Sequence, residues 1–458
     1  MVLKHAKRFG LTVFFVLGYC SGLIWAEDSP QSYRFDLPAC IKRALRVNPK
    51  MEEARLDVDE AKVKLKSAKL ERTGKWELFN RSGIARDAEG DAITGDDISG
   101  EFGPFNRLNL AISVPLYTFG RLTHGINAAN ENVNRQRASQ FKTTSDLVLE
   151  VHKRYYSLVL TRQLLETTQN IKNNFDTAYE LAEERLDKGD PQVTETDALK
   201  LRVGRAVVTG NLYTIQRQVR TAKAALREIM RIDDRVDFDI ADKKLKPVEF
   251  DLNPLERYLV LAEENNPDIG QLKAALASEQ ARYWSERSKF YPTLLALGGV
   301  RHGVAPGRED QENPFLNDDF NFLDAGASFG IKWDLNFFQT DSGVREKKVR
   351  YLRMKSRLQK ALDGIALKVK AKYHQYVERN NSMEASFEAK KAGRALLFLN
   401  LTNFKMGMGS GRDVFDAVSL HARVDGDYYQ AIFNYNLAVV ELLDVVGTLV
   451  PRVTKEQS

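Results

Sequence analysis

The chain has 458 residues, 28% charged and 10% aromatic, with a formal charge of +6; that length holds one large domain or two to three ordinary ones. A mean hydropathy of −0.40 argues against a helical membrane protein. Lys and Arg are interspersed with Asp and Glu, without the clustered basic face that a nucleic-acid binder needs.

In chain order, residues 1–26 read as a cleaved secretory signal. Lys4, Lys7 and Arg8 form the basic start, Phe9 to Cys20 the apolar core, and Ile24-Trp25-Ala26 precede acidic Glu27. The apolar run is short of the roughly 20 residues that a spanning helix needs. Tyr19, before Cys20, is not the small residue a lipid-attachment signal wants. Cleavage leaves Cys40 alone, so no internal disulfide is expected. The best later candidate for a spanning helix, Leu437 to Val450, is interrupted by Glu441 and Asp444. An exported chain without a helical span is periplasmic, secreted, or built into the outer membrane as β-strands.

The mature chain repeats itself. Ala44-Leu45-Arg46-Val47-Asn48-Pro49 is echoed by Ala262-Glu263-Glu264-Asn265-Asn266-Pro267, Val114-Pro115-Leu116-Tyr117 around Trp333-Asp334-Leu335-Asn336, and Asp197-Ala198 with Leu201 by Asp416-Ala417 with Leu420. The offset is 218 or 219 each time. Two structural copies are expected, 27–232 and 254–450, joined by a linker or equatorial segment at 233–253 that carries Pro247, with a short tail at 451–458. Each copy reads as helix, two strands, long helix, turn, helix. In the first, a helix at 37–73 is followed by strands near 76–85 and 107–117. A helix then runs from Arg121 to about Lys188, about 68 residues or about 100 Å. Gly189-Asp190-Pro191 stops it, and a return helix spans 194–232. The second copy predicts a helix at 254–290, strands near 293–302 and 322–337, a helix from Gly343 to Met406, a Gly407–Gly411 turn, and a helix to Val450.

The opening and return helices, stacked end to end, match the long helix in length. So long a rod has no globular core and must bury narrow stripes against neighbours; Phe175, Tyr179, Ala182 and Leu186 show such a stripe. The strands alternate with period two. Leu108, Leu110, Ile112, Val114 and Leu116 lie on one side in the first copy, and Leu323, Ala325, Ala327, Phe329, Ile331, Trp333 and Leu335 in the second. That pattern fits a membrane β-barrel with a wet lumen, or equally a half-buried soluble sheet; the export signal and the rods favour the barrel. The connections within each strand pair are long and acidic, with Asp87, Glu89, Asp91, Asp96, Asp97 and Glu101 in one and Glu309, Asp310, Glu312, Asp318 and Asp319 in the other. Four strands cannot close, and an open edge in lipid leaves backbone groups unpaired. Several chains are required, and the sequence alone leaves their number open.

The "ALRVNP" of the opening helix, the "VPLYTFGR" leading from strand to long helix and the "TETDAL" at the helical turn, in this order, resemble the TolC-like outer-membrane efflux proteins over nearly the whole mature chain. The resemblance implies a mostly α fold with a membrane β component: a trimer with a twelve-stranded barrel in the outer membrane and an α-helical tunnel in the periplasm, closed at its tip. It implies the channel component of a tripartite efflux pump or a type I secretion system. The partners would be a periplasmic adaptor (membrane fusion) protein, an inner-membrane transporter of RND, ABC or MFS type, and outer-membrane lipid. It also points to Asp413 and Asp416, in Asp413-Val414-Phe415-Asp416-Ala417, as a ring of carboxylates at the aperture; three residues apart, they share one helix face. Their plain alternative is that of first-turn acids favoured by the helix dipole. Thr194-Glu195 matches a Thr-Asp pair that helps to lock the family's closed tip. The family's tyrosine partner corresponds to Phe404, without a hydroxyl, and its loop arginine to Gly409. Arg412 is the nearby cation, expected to pair with Glu195 or Asp197. Gly189 and Gly407 end the long helices and, with Met406 and Met408, could contact the adaptor.

The six histidines are scattered without metal-ligand spacing, and there is no phosphate loop or nucleophile motif. No catalysis, cofactor or metal is expected. The competing reading is an exported periplasmic coiled-coil scaffold or adaptor without a channel, which needs neither the alternating strands nor the repeat.

Overall fold

The computed structural model describes residues 33–89, 97–310, 315 and 318–450. The signal segment 1–26 and the tail 451–458 lie outside the described residues, as do Asp91, Asp96 and Glu312. The first half comprises β1 (Tyr33–Phe35), α1 (Leu37–Val47), α2 (Pro49–Leu70), β2 (Lys75–Glu89), β3 (Asp97–Tyr117), α3 (Arg121–Asp187), α4 (Glu195–Ile229) and β4 (Phe238–Ile240). The second comprises α5 (Leu255–Asn265), α6 (Pro267–Arg287), β5 (Thr293–Val304), β6 (Phe322–Lys332), α7 (Phe337–Lys405) and α8 (Gly411–Val445). Two helices, two strands, a long helix and a return helix thus occur twice, in the same order.

The long helices α3 and α7 hold 67 and 69 residues, about 100 Å each. Each opening helix is two helices, broken at Asn48-Pro49 and at Asn266-Pro267. Proline has no N–H to donate and drives the preceding residue out of the helical region; Asn48 and Asn266 sit at ψ 129° and 124°. Both asparagines then start a new helix. Asn48 Oδ1 accepts from Lys50 N, and Asn266 Oδ1 from Asp268 N and Ile269 N. Each also ties that helix to the end of its return helix. Asn48 Nδ2 donates to Ile229 O at the close of α4 (3.4 Å), and Asn266 Nδ2 to Val445 O at the close of α8 (2.8 Å). The short helices α2 and α4 therefore run end to end beside α3, and α6 and α8 beside α7.

The four strands form one antiparallel sheet in the order β2-β3-β5-β6. Register puts like faces together: Leu78 opposite Leu110, Leu110 opposite Val300, and Val300 opposite Ala325. Large apolar side chains on this face are bare in the single chain, Phe329 being 86% exposed. β6 ends at Lys332 and α7 starts at Phe337, not at 337 and Gly343 as the alternation suggested. The pattern runs past the strand because Trp333 folds back, its Nε1 donating to Phe290 O and its ring meeting Phe337. No helix among the described residues is long and apolar enough to cross a membrane.

The main core lies halfway along the rod, where α1, α5, the middle of α3 and the end of α8 meet. Residues 233–253, read as a linker or equatorial segment, carry β4, which pairs in parallel with β1. The following segment is pinned by fully buried Asn436, whose amide donates to Lys246 O and accepts from Val248 N. A second core fills the far end of the rod, away from the sheet.

Candidate functional site: the helical tip

At the far end of the rod α3 turns into α4 and α7 into α8. Both turns rest on a glycine that the helix ending requires. Gly189 (φ 71°) and Gly407 (φ 80°) occupy the left-handed region. Gly189 N donates to Leu186 O and Asp190 N to Arg185 O; Gly407 N donates to Phe404 O and Met408 N to Asn403 O. Met406 and Met408 stand exposed at the outer end of the second turn.

The return helices start alike. Thr194 Oγ1 accepts from Asp197 N while Asp197 Oδ2 accepts from Thr194 N, at 3.2 and 3.1 Å. In the second half Ser410 Oγ accepts from Asp413 N and Asp413 Oδ2 from Ser410 N, at 3.2 and 3.4 Å. These are reciprocal capping boxes. Asp413 is therefore the counterpart of Asp197, not Asp416 as the 219 offset paired them; the second turn is shorter. Leu201 is buried whereas Leu420 is exposed, in keeping with the shift.

Asp413 and Asp416 do share one exposed helix face, opposite buried Val414, Ala417 and Val418. Arg412 faces Asp416 at 4.0 Å on its own helix. It makes no ion pair with Glu195 or Asp197 among the described residues. Glu195 is exposed, and Asp197 is buried against α8: a Cβ at Gly411 would lie 2.7 Å from Asp197 Cβ. The small residue lets the two helix starts touch.

The link between the halves is carried by a residue that sequence reasoning missed. The buried stripe on α3 is Ile171, Phe175, Ala178, Ala182 and Arg185, with Tyr179 and Leu186 only half-buried. Arg185, 7% exposed, donates from Nε to Asp190 Oδ2 (2.8 Å) and from Nη1 to Phe404 O (3.0 Å), with its guanidinium 4.9 Å from the centre of the Phe404 ring. A cation there meets the negative end of α7. Asp190 is held below the usual carboxylate range by the Gln192 N–H and then by Arg185. Phe404, fully buried, needs no hydroxyl, because its carbonyl and ring face do the linking. The signal was present: steps of four, three, four and three from Ile171 lead to Arg185. A charged residue at the end of an apolar stripe is easily taken for its solvated edge.

A family model described as outer membrane efflux protein matches residues 77–230, from β2 to the close of α4. The chain superposes on the open-state MtrE outer membrane channel of Neisseria gonorrhoeae with a TM-score of 0.72 at 16% identity, covering 90% of this chain and 89% of that one. It superposes on the CmeC outer membrane channel of Campylobacter jejuni with a TM-score of 0.70 at 14% identity, over 97% of each chain. For the outer membrane protein VceC of Vibrio cholerae the TM-score is 0.70 at 15% identity, over 90% of this chain and 96% of that one. No curated protein sequence matches the chain. The resemblance to the TolC-like outer-membrane efflux proteins is borne out: this chain has their fold, a helical rod joined to a four-stranded antiparallel sheet.

Proposed function

We propose that three copies of this chain form a duct through the outer membrane, with twelve strands in lipid and a helical tunnel in the periplasm that closes at the tip. The carrying observation is the sheet. β2 and β6 are its edges, neither pairs further among the described residues, and one face carries large exposed apolar side chains, Trp76, Leu78, Ile84, Leu323, Phe329 and Ile331. In hydrocarbon such edges are tolerable only when other chains close the ring. Aromatic residues gather where strands pass into helices, Trp76, Tyr117, Phe119, Tyr291, Trp333 and Phe338 among them, as at the interface of a membrane barrel. The rods carry further unpartnered stripes. Leu199, Val203 and Val207 on α4, and Leu396 and Leu399 on α7, are exposed at helical spacing, which suits packing against neighbouring copies.

At the tip, three copies bring Asp413 and Asp416 into a ring of six carboxylates that attracts cations and repels anions. The exposed turns around Gly189, Gly407, Met406 and Met408 offer docking points for a periplasmic adaptor, which couples the duct to an inner-membrane transporter of RND, ABC or MFS type. Opening is driven by partners that bind the open tip better than the closed one. In this reading cargo is chosen by the transporter, and the duct serves efflux or type I secretion accordingly. The test is fractionation and electrophysiology. A heat-labile trimer in the outer membrane that conducts in planar lipid bilayers supports the duct. A soluble single subunit that leaves bilayers unchanged overturns it and favours the scaffold.

A further inference from the structure

A concavity of about 820 Å³ lies where the strands meet the helices. Lys75, Arg121, Lys289 and Lys332 line it, against Glu71 and Asp334. It opens on the sheet face opposite the apolar one: Lys75 alternates with Trp76, and Lys332 with Ile331. Lys289 is engaged by Glu286 at 2.7 Å. Lys75, Arg121 and Lys332 make no ion pair among the described residues, and Asp334 Oδ1 already accepts from Asn336 N at 3.1 Å. The cavity is therefore short of negative charge. Towards the loops the same sheet face carries Arg81, Arg107 and Arg301 against Glu77 and Asp324, and of these three arginines only Arg301 forms an ion pair among the described residues, with Asp324 at 2.6 Å.

We propose that this cavity is a binding site for multivalent anions, phosphorylated or polycarboxylated, at the neck of the barrel. The inference rests on the duct reading in one respect: it makes this face the lumen wall, so that an anion leaving the tunnel meets three free cations per chain before the mouth. Three cations lining one space favour a polyanion over a monovalent ion, because each added opposite charge strengthens the attraction. A recess between sheet and helix ends is less screened than open surface. The site is opposite in sign to the Asp413 and Asp416 face at the other end of the rod, so the two ends discriminate differently.

The probe is inorganic tripolyphosphate, titrated by calorimetry into the full-length protein in neutral detergent at low salt. Binding is expected at one site per chain and is weakened about tenfold in Lys75→Gln and again in Lys332→Gln, about 1.4 kcal/mol for each factor of ten. Arg345→Gln, on α7 outside the cavity, leaves it unchanged. Both lysines lie at strand ends, and an unchanged melting temperature confirms that each variant folds. In planar bilayers the same anion lowers the current of the parent protein, and lowers it less in the variants. Absence of binding, or binding equal in all four proteins, overturns the proposal. Binding that depends on the lysines in a protein that never conducts leaves the site standing and removes the duct. Conduction without binding does the reverse.

Discussion

Arg185 reaches across the tip to the main-chain oxygen of Phe404, 3.0 Å away and 219 residues on in the sequence. One end of that bond belongs to the first helical hairpin and the other to the second. The guanidinium is buried between them, held in plane by Asp190 and covered by the Phe404 ring. Arg185→Ala removes a charged hydrogen bond worth about 1.5–3 kcal/mol and leaves the Phe404 carbonyl at the end of α7 with main-chain donors such as Gly407 N alone. The expected result is a lower melting temperature together with larger single-channel conductance in bilayers. Arg185→Lys keeps the charge but cannot serve both Asp190 and Phe404 in one plane, so it falls between parent and alanine variant. An alanine variant with parental conductance and stability would show that the hairpins are held elsewhere.

The two aspartates of α8 separate in the same assays. Asp413 closes a capping box, whereas Asp416 among the described residues pairs only with Arg412 at 4.0 Å, with both side chains well exposed. Asp413→Ala keeps the Ser410 cap bond but loses the bonds that its carboxylate accepts from Ser410, and is expected to cost about 0.5–1 kcal/mol and to shift ion selectivity as well. Asp416→Ala shifts selectivity alone, towards anions, and leaves the melting temperature within experimental error. Reversal potentials under a salt gradient, set beside thermal melts, distinguish the two. Selectivity unchanged in both variants would remove the aperture assignment.

Most of the rod was legible in the sequence, because a helix of nearly seventy residues excludes proline throughout and announces its end with Gly189 or Gly407. The halves were legible because Asn48-Pro49 and Asn266-Pro267 recur intact. What stayed hidden was how the pieces touch. The breaks at the two prolines were bridged by apolar spacing that continues across them. β1 and β4 have three residues each, too few for any alternation to register. At the tip, the third landmark pair was aligned by composition, although Asp413 does the work of Asp197. Arg185 was passed over because its burial comes from Phe404, far away in sequence.

Asn48 and Asn266 are expected to be the most sensitive polar positions on the rod. Each starts one helix and holds the end of another, so alanine forfeits a cap of about 1 kcal/mol and leaves a helix-end carbonyl unpaired at roughly 1 kcal/mol more. Asn266 makes two cap bonds and a 2.8 Å link to Val445 O, against one cap bond and a 3.4 Å link for Asn48. Asn266→Ala should therefore lower the melting temperature more. The sites lie in different halves and share no partner, so the double variant should show close to the sum of the two effects. Limited proteolysis near residues 48 and 266 gives an independent readout of the loosened junctions.

Two acids three residues apart on α8 should respond to pH with opposite sign. Burial pushes Asp444 above the ordinary carboxylate range, outweighing the 2.6 Å hydrogen bond from Ser145 Oγ. Burial acts on Glu441 too, but Lys372 at 2.7 Å and Lys153 at 3.1 Å overcome it and hold that carboxyl low. A raised folded-state pKa means that the folded chain binds the proton more tightly than the unfolded one, so ionised Asp444 costs stability above its raised value and nothing below the ordinary range. Asp444→Asn keeps an acceptor for Ser145 and is expected to melt higher than the parent at about pH 7, the gap closing towards about pH 4. Glu441 is the reverse: its contribution is present above the ordinary range and lost as pH falls through its lowered value. Glu441→Gln leaves two lysines facing each other without a counter-charge and should melt lower at about pH 7, converging on the parent in acid. Melting curves of the three proteins from about pH 2.5 to pH 8 decide it; parallel curves for both variants would show that neither carboxyl is shifted by its surroundings.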